Sequence, residues 1–193
     1  MKYIIGIFLL SMTAACAQTE SSESTGAAAP YDPSIPVLKV SMYDSPLIDH
    51  EIAKENPYEV EFKVEETEDG RFILVTSMKL NGGSFYVSPH SETDFKGKFR
   101  IEVAPNDDLS IENDFVETPR SEEVVDPHQF VNGPVNWVTE DTKYEHPLIL
   151  HTQKDFSIGG KIIFVIEPKC TLETIGVLFK YKNGVLTVEP LEC

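Results

Sequence analysis

Cysteines are the residues of this 193-residue chain whose chemistry is easiest to predict, and there are three of them. Cys170 follows an apolar run at residues 161–167 (KIIFVIE), and Pro168 ends that run. A thiol at this place would lie at the rim of a sheet, where loops carry functional groups. Neighbouring side chains on a strand point apart, so Lys169 is not expected to approach the sulfur, and this favours an inert or disulfide-bonded cysteine.

Cys170 and Cys193 are the candidate disulfide of the chain. In an oxidising compartment two remaining thiols favour one bridge. The bridge would close a loop of about 23 residues and stabilise the folded state by roughly 3 kcal/mol on the chain-entropy model. The alternative is a buried Cys170 with a free thiol at Cys193, the last residue.

The third cysteine, Cys16, belongs to a predicted export signal. Lys2 precedes an apolar run at residues 3–12, and small residues follow at 13–17 (TAACA), which is the layout of a secretory signal peptide. The run is shorter than the roughly twenty apolar residues of a membrane span. Two cleavage sites fit this pattern. Cleavage before Cys16 would leave a lipid-modified cysteine, as in bacterial lipoproteins, and cleavage after Ala17 would start the mature chain at Gln18.

The segment that follows the signal has the composition of a flexible tether. Residues 17–30 (AQTESSESTGAAAP) contain no large apolar side chain that could build a core. A coil of this length reaches about 20 Å, enough to hold a domain clear of a bilayer. We therefore predict a signal peptide at 1–16, a disordered tether at 17–30 and a globular domain at 31–193. A frayed end of a secreted domain is the alternative.

The composition limits the partners and the location of the protein. The chain has 16 Lys and Arg residues against 32 Asp and Glu residues, for a net charge of −16. Such a charge repels nucleic acid and anionic lipid, so we predict no nucleic-acid partner. The expected membrane contact is the lipid on Cys16. The expected location is the periplasm or the outer membrane as a lipoprotein, or the medium if ordinary cleavage occurs.

The sequence contains none of the common enzymatic motifs. A G-x-S-x-G elbow, a phosphate loop, a dinucleotide-binding fingerprint and an H-E-x-x-H motif are all missing from it. Five histidines are scattered along the chain, and His146 and His151 would point to opposite faces of one strand. We therefore predict no metal site, no cofactor and no catalytic residue, unless Cys170 and Cys193 exchange disulfides.

Alternation with a period of two dominates the globular part. Val60, Phe62 and Val64 alternate with charged residues, a turn follows at 68–70 (EDG), and residues 72–80 return as a second strand. Residues 183–184 (NG) predict a tight hairpin turn near the C-terminus. Further strands are predicted at 84–87, 99–103, 130–131, 135–138, 144–151, 161–167, 176–182 and 185–189.

Helices are predicted to be minor. Ser45 and Pro46 fit the start of a short helix that must end before Pro57, and Ser121 fits the start of a single turn before Pro127. Many short strands separated by turn signals favour one architecture. We predict an all-β fold, an antiparallel immunoglobulin-like β-sandwich with one or two short helices.

Two motifs and one cysteine carry a resemblance to a known family. Residues 82–89 (GGSFYVSP) and 155–164 (DFSIGGKIIF) are followed by Cys170, and together with the first hairpin they span residues 56–188. This layout resembles the immunoglobulin-like N-terminal domain of the thiol:disulfide interchange protein DsbD and related small domains of envelope proteins. The resemblance implies a β-sandwich with a redox site at Cys170.

The chain departs from that family at the second redox cysteine. The family has it six residues after the first, where this chain has Gly176. Two-thiol exchange would then need Cys193 as the partner of Cys170. The sequence therefore leaves two functions open. One is a non-catalytic, lipid-anchored envelope domain that binds a protein partner or serves a structural role. The other is a thiol:disulfide interchange domain that uses Cys170 with Cys193.

Overall fold

The computed structural model of the chain describes residues 32–191. The predicted signal peptide, the predicted tether, Cys16 and Cys193 lie outside the described residues. No helix among residues 32–191 is long and apolar enough to cross a membrane.

Twelve strands and two short helices make up the described chain, and the strands dominate. The helices are a 3₁₀ turn, Met42–Asp44, and α1, His50–Glu55. The strands are β1 Tyr58–Glu66, β2 Phe72–Leu80, β3 Tyr86–Val87, β4 Arg100–Val103, β5 Leu109–Ile111, β6 Val116–Thr118, β7 Glu123–Asp126, β8 Gly133–Val138, β9 Thr142–Leu150, β10 Phe156–Ile166, β11 Thr171–Lys182 and β12 Val185–Pro190.

The strands form three antiparallel sheets. The first has the order β1-β2-β9-β5, with β6 also pairing with β9. The second has the order β12-β11-β10-β4, and the third, smaller sheet has the order β3-β8-β7. Alternate side chains of the first two sheets fill one core between them, as in a β-sandwich. The predicted fold class, an antiparallel immunoglobulin-like β-sandwich with minor helices, is confirmed.

A second, smaller core lies under the third sheet. Its buried residues come from the segment before β1, from the chain at β3 and from β8, and they include Phe85, Val135 and Trp137. Trp137 is therefore a core aromatic residue. Tyr43 packs edge-on against Phe85 and Trp137 of this smaller core.

Glycines allow the N-terminal segment to pack closely on the turn that follows β2. Gly83 has a φ of 71°, and a Cβ atom there would lie 2.6 Å from the carbonyl oxygen of Leu47. The carbonyl of Gly82 accepts a hydrogen bond from the N–H of Asp49 at 2.8 Å. Only glycine combines the left-handed backbone with this close approach.

The helix begins later than the sequence predicted. Ser45 follows the 3₁₀ turn, whereas Asp49 caps α1 by accepting hydrogen bonds from the N–H groups of Glu51 and Ile52. The carboxylate of Asp49 satisfies two amide groups at once, which favours this start over Ser45.

Two further local predictions were wrong. Phe130 and Val131 lie in a turn rather than a strand, because the N–H groups of Val131 and Asn132 both donate to the carbonyl of His128. Residues 123–126, where the helical turn that starts at Ser121 was predicted, form β7 because they pair with β8. Pairing with a strand that comes later in the chain overrode the local preference in this segment.

Candidate functional site

Cys170 lies at the tip of a hairpin. Ile166, the last residue of β10, pairs with Thr171, the first residue of β11, so residues 167–170 form the connecting loop. Cys170 is exposed and has a φ of 57°, an uncommon backbone conformation for a residue other than glycine. The predicted position at a sheet rim is confirmed, and the exposure of the side chain rules out a buried thiol.

The position of the second redox cysteine in the family is occupied here by Gly176, which lies six residues after Cys170 along β11. Gly176 lies in β11 opposite Lys161, and the pairing between β10 and β11 is unbroken from Thr171 to Gly176. At about 3.3 Å per residue, Gly176 therefore lies on the order of 20 Å from Cys170. Residues this far apart cannot form a disulfide without backbone movement.

Leu191 covers Gly176 from the neighbouring strand. The N–H of Leu191 donates to the carbonyl of Gly176 at 2.9 Å, and a Cβ atom on Gly176 would lie 3.0 Å from the Cβ of Leu191. A side chain at position 176 would press against this contact. The proposed partner of Cys170, Cys193, lies outside the described residues, so that pairing stays a prediction.

A buried carboxyl group lies in the same hairpin loop as Cys170. Glu167 is only 7% exposed, and its Oε1 accepts a hydrogen bond from the hydroxyl of Tyr43 at 3.1 Å. Its Oε2 is buried without a hydrogen-bond partner among the described residues. Burial raises the pKa of Glu167, although the Tyr43 hydroxyl, the N–H of Cys170 and His128 each lower it. Burial and the Glu167 carboxylate both raise the pKa of Tyr43.

Three aromatic rings form a continuous surface beside this loop. The ring of Tyr43 stacks on His128 with centroids 4.3 Å apart, and His128 lies 5.0 Å from Phe130. Phe130 is 74% exposed, and Tyr43 packs edge-on against the buried rings of Phe85 and Trp137. We call Tyr43, His128 and Phe130 the aromatic surface. Exposed aromatic rings on a rigid base are typical of protein-binding sites.

Asp126 holds the aromatic surface to the smaller core. Its carboxylate is fully buried and accepts three hydrogen bonds, from the N–H groups of Met42 and His128 and from the indole of Trp137 at 3.2, 2.9 and 3.0 Å. Three donors compensate much of the cost of burying this charge. The segment that carries Tyr43 and the loop that carries Phe130 are thus fixed to one point.

A second polar cluster contains a serine, a histidine and a glutamate, but it is not arranged as a nucleophilic triad. The hydroxyl of Ser88 donates to Oε2 of Glu117 at 2.6 Å, and Nε2 of His90 lies 3.5 Å from that same oxygen. The histidine therefore does not stand between serine and carboxylate, which general-base activation of the serine requires. We interpret this cluster as a support for the loop after β3.

Two histidines enclose Phe115 near that cluster. The rings of His90 and His146 lie 4.6 and 5.0 Å from the Phe115 ring, on stacked planes. His146 is 7% exposed, and its Nδ1 is buried without a hydrogen-bond partner among the described residues. Burial lowers the pKa of His146 to about 4. His151 is exposed and hydrogen-bonds Ser110, so the two histidines are kept apart as predicted.

Metal ligands do not converge in the described part of the chain. Residues 32–191 contain no group of three or more His, Cys, Asp or Glu side chains placed to hold a metal ion. The buried carboxyl groups are those of Glu117, Asp126 and Glu167. Sequence analysis named none of them as a site residue, although Glu167 ends the apolar run before Cys170. Tyr43 and Asp126 gave no sequence signal because they join the site through contacts across 124 and 84 residues.

Comparison with known proteins gives two similar solved structures. One is the N-terminal domain of DsbD from Neisseria meningitidis in its reduced form, with 12% identity over 71% of this chain and 93% of that chain and a TM-score of 0.42. The other comes from the complex between the DsbD and PilB N-terminal domains of that organism, with 14% identity over 77% and 96% and a TM-score of 0.41. This is the resemblance that the sequence motifs indicated.

No protein-family model and no curated protein sequence matches the chain. The fold assignment therefore rests on the strand pairing described above.

The buried His146 makes a prediction about acid stability. The unfolded chain takes up a proton near pH 6.5, whereas the folded chain resists it until about pH 4, so stability falls as the pH drops through this window. We expect His146→Phe, which keeps a stacked ring, to reduce the loss between pH 7 and pH 4.5 by about 2 kcal/mol. Urea unfolding at both pH values measures this difference.

The exposed His151 provides the matched control. The same measurement on His151→Phe separates the effect of the buried ring from that of removing a histidine from the surface. Equal pH dependence in the wild type and in His146→Phe would show that the buried ring does not oppose protonation.

Proposed function

We propose that this protein is an exported, lipid-anchored domain of the cell envelope that binds a protein partner through its aromatic surface and catalyses no reaction. The observation that carries the proposal is the exposed ring of Phe130, which lies tilted against His128, which in turn stacks on Tyr43 next to the smaller core. Aromatic side chains on a rigid support bind partners with little loss of conformational entropy.

The location of acidic groups supports the same surface. Glu167 and Asp126 are both buried directly beneath the rings, which fixes the orientation of Tyr43 and His128. A partner would meet preorganised rings, which lowers the entropic cost of binding. Burial raises the pKa of Glu167, and perturbed carboxyl groups of this kind concentrate at functional sites.

Export and lipid anchoring rest on the sequence alone. The apolar run at residues 3–12, the small residues before Cys16 and the polar segment at 17–30 support a lipoprotein signal followed by a tether. The periplasm or the outer membrane is the proposed location.

The state of the mature N-terminus tests the anchor. We expect mass spectrometry of protein from the native envelope to find a diacylated or triacylated Cys16 as the first residue. Cys16→Ser should release the protein from the membrane fraction because the lipid is lost. A mature chain that begins at Gln18 would overturn the anchor and leave the domain secreted.

The aromatic surface is tested by crosslinking inside cells. A photoreactive amino acid at position 130 should crosslink to one defined envelope protein, and His128→Ala in the same chain should reduce the yield because it removes the supporting ring. The matched control is the same photoreactive residue at Val185, which is 61% exposed and lies on the last hairpin. Equal patterns from both positions would contradict a partner site at Phe130.

A second candidate function is thiol:disulfide interchange through Cys170, with Cys193 as the partner thiol. The observation that favours it is an exposed thiol whose backbone N–H lies beside the buried carboxyl group of Glu167. Exchange requires a thiolate that can reach a disulfide, and exposure at a hairpin tip provides the access.

The geometry sets a condition on that second candidate. Leu191 is held against Gly176, about 20 Å along β11 from Cys170, and two further residues extend at most about 7 Å. A bridge between Cys170 and Cys193 would therefore need the end of β12 to leave β11.

Redox titration against glutathione tests the condition. If the second candidate is right, the mature protein forms a reversible internal disulfide, Cys193→Ser abolishes it, and the amide of Leu191 exchanges faster in the oxidised form. Two free thiols under oxidising conditions would end this candidate. Oxidation to a mixed disulfide with glutathione alone would end it equally, because no internal partner would then exist.

A further inference from the structure

The two main sheets both leave an edge strand open on the same side of the sandwich. β1 ends the first sheet and β12 ends the second, and these two strands lie near each other. Within residues 32–191, β1 pairs with β2 alone, over nine residues. An unpaired edge of this length presents free backbone groups that can pair with another chain.

The hydrogen-bond register shows which backbone groups of β1 are free. At the two ends of the β1–β2 hairpin, the N–H of Asn81 donates to the carbonyl of Pro57 and the N–H of Thr67 donates to the carbonyl of Arg71, in the same register as the strands. Directly opposite residues alternate between bonded and non-bonded pairs in an antiparallel ladder. The odd-numbered residues of β1 therefore bond to β2, and the N–H and C=O groups of the even-numbered residues point outward.

Those even-numbered residues also carry the apolar side chains of the strand. Val60, Phe62 and Val64 are half-buried and pack against the main core. Val60, Phe62 and Pro190 line a groove between β1 and the end of β12. An added strand would find hydrogen-bonding groups and an apolar inner face at the same three positions.

The opposite face of β1 is strongly acidic. The exposed side chains on this face are those of Glu59, Glu61, Lys63 and Glu65, of which three are acidic and one basic. Lys63 already pairs with Glu65 at 2.7 Å and Lys79 of β2 pairs with Glu59 at 3.2 Å, whereas Glu61 has no salt bridge among the described residues. Charged residues on an edge strand repel a strand of like charge.

The acidic side chains of β1 therefore favour a basic strand as the binding partner of this edge. A second copy of this chain carries a net charge of −16 and the same acidic edge, so self-pairing is disfavoured. A strand with Lys or Arg at alternate positions would place cations opposite Glu59, Glu61 and Glu65 and one opposite Lys63, which is a net attraction because side chains opposite each other in a ladder share a face.

We propose that β1 is a docking edge for an extended, basic segment of a partner protein, which adds to the first sheet as an antiparallel strand. Val60, Phe62 and Val64 supply the backbone bonds and the apolar contacts, and Glu59, Glu61 and Glu65 supply the charge selection. This edge belongs to a different part of the sandwich from the aromatic surface, and the proposal does not depend on it.

Binding of a synthetic peptide strand to the full-length protein tests this docking edge. The probe is a capped, fluorescent nine-residue peptide that alternates Lys and Val. We expect saturable binding by anisotropy at 0.15 M salt, with slower hydrogen exchange at the amides of Val60, Phe62 and Val64. A peptide that alternates Glu and Val should bind at least about tenfold more weakly.

Backbone pairing is separated from simple charge attraction by a third peptide. N-methylation of its valines keeps every lysine but removes the donors that would face β1. This peptide should bind at least about tenfold more weakly than the unmodified one. Equal affinity, or unchanged exchange at Val60, Phe62 and Val64, would overturn the proposal in favour of nonspecific attraction to an acidic protein.

Charge reversal in the protein completes the test. The triple variant Glu59→Lys, Glu61→Lys and Glu65→Lys should lose the Lys-Val peptide and gain the Glu-Val peptide. The control reverses Asp107, Glu112 and Asp114, which are exposed residues around β5 at the far edge of the sheet. Equal loss in both variants would contradict the proposal, and so would a dimer of the wild type that protects the β1 amides.

Discussion

The ladder between β10 and β11 is the interaction on which the rest of the structure depends. Eleven consecutive residue pairs join the two strands without a bulge. This pairing places Cys170 at a tip, spreads residues 171–176 along an extended strand and brings Glu167 under the N-terminal segment. The same strands hold β4 and β12 on either side, so one hairpin organises a whole layer of the sandwich. A one-residue slip would turn every core side chain of the hairpin outward.

Three buried carboxyl groups differ in how well the fold compensates them. Asp126 accepts three hydrogen bonds, Glu117 accepts bonds from the Ser88 hydroxyl and the Ser121 N–H, and Glu167 has one side-chain donor in Tyr43. Because a buried charge is costly without donors, the carboxyl group with the fewest of them has the raised pKa. The least compensated group is also the one beside the exposed thiol. We interpret the buried Glu167 carboxyl group as a local cost in stability that orients Tyr43 on the aromatic surface.

Sequence reasoning predicted the architecture better than the site. Strict alternation at residues 58–66 and the Asn-Gly turn at 183–184 predict their hairpins, because period-two patterning and turn chemistry act locally. The short strands β5, β6 and β7 were not found, since three or four residues carry too little pattern and form only because β9 or β8 pairs with them. Cys170 was located by its flanking strand, whereas the rings and carboxyl groups around it come together only through long-range packing.

The aromatic surface is assembled from parts of the chain that are far apart in sequence. Tyr43 reaches Glu167 across 124 residues, and the N–H of Met42 reaches Asp126 across 84. Contacts of such long range form late, after most loop-closure entropy has been lost. A chain that has folded only its N-terminal hairpin cannot display this face. Any molecule that recognises it would consequently bind only chains that have completed folding.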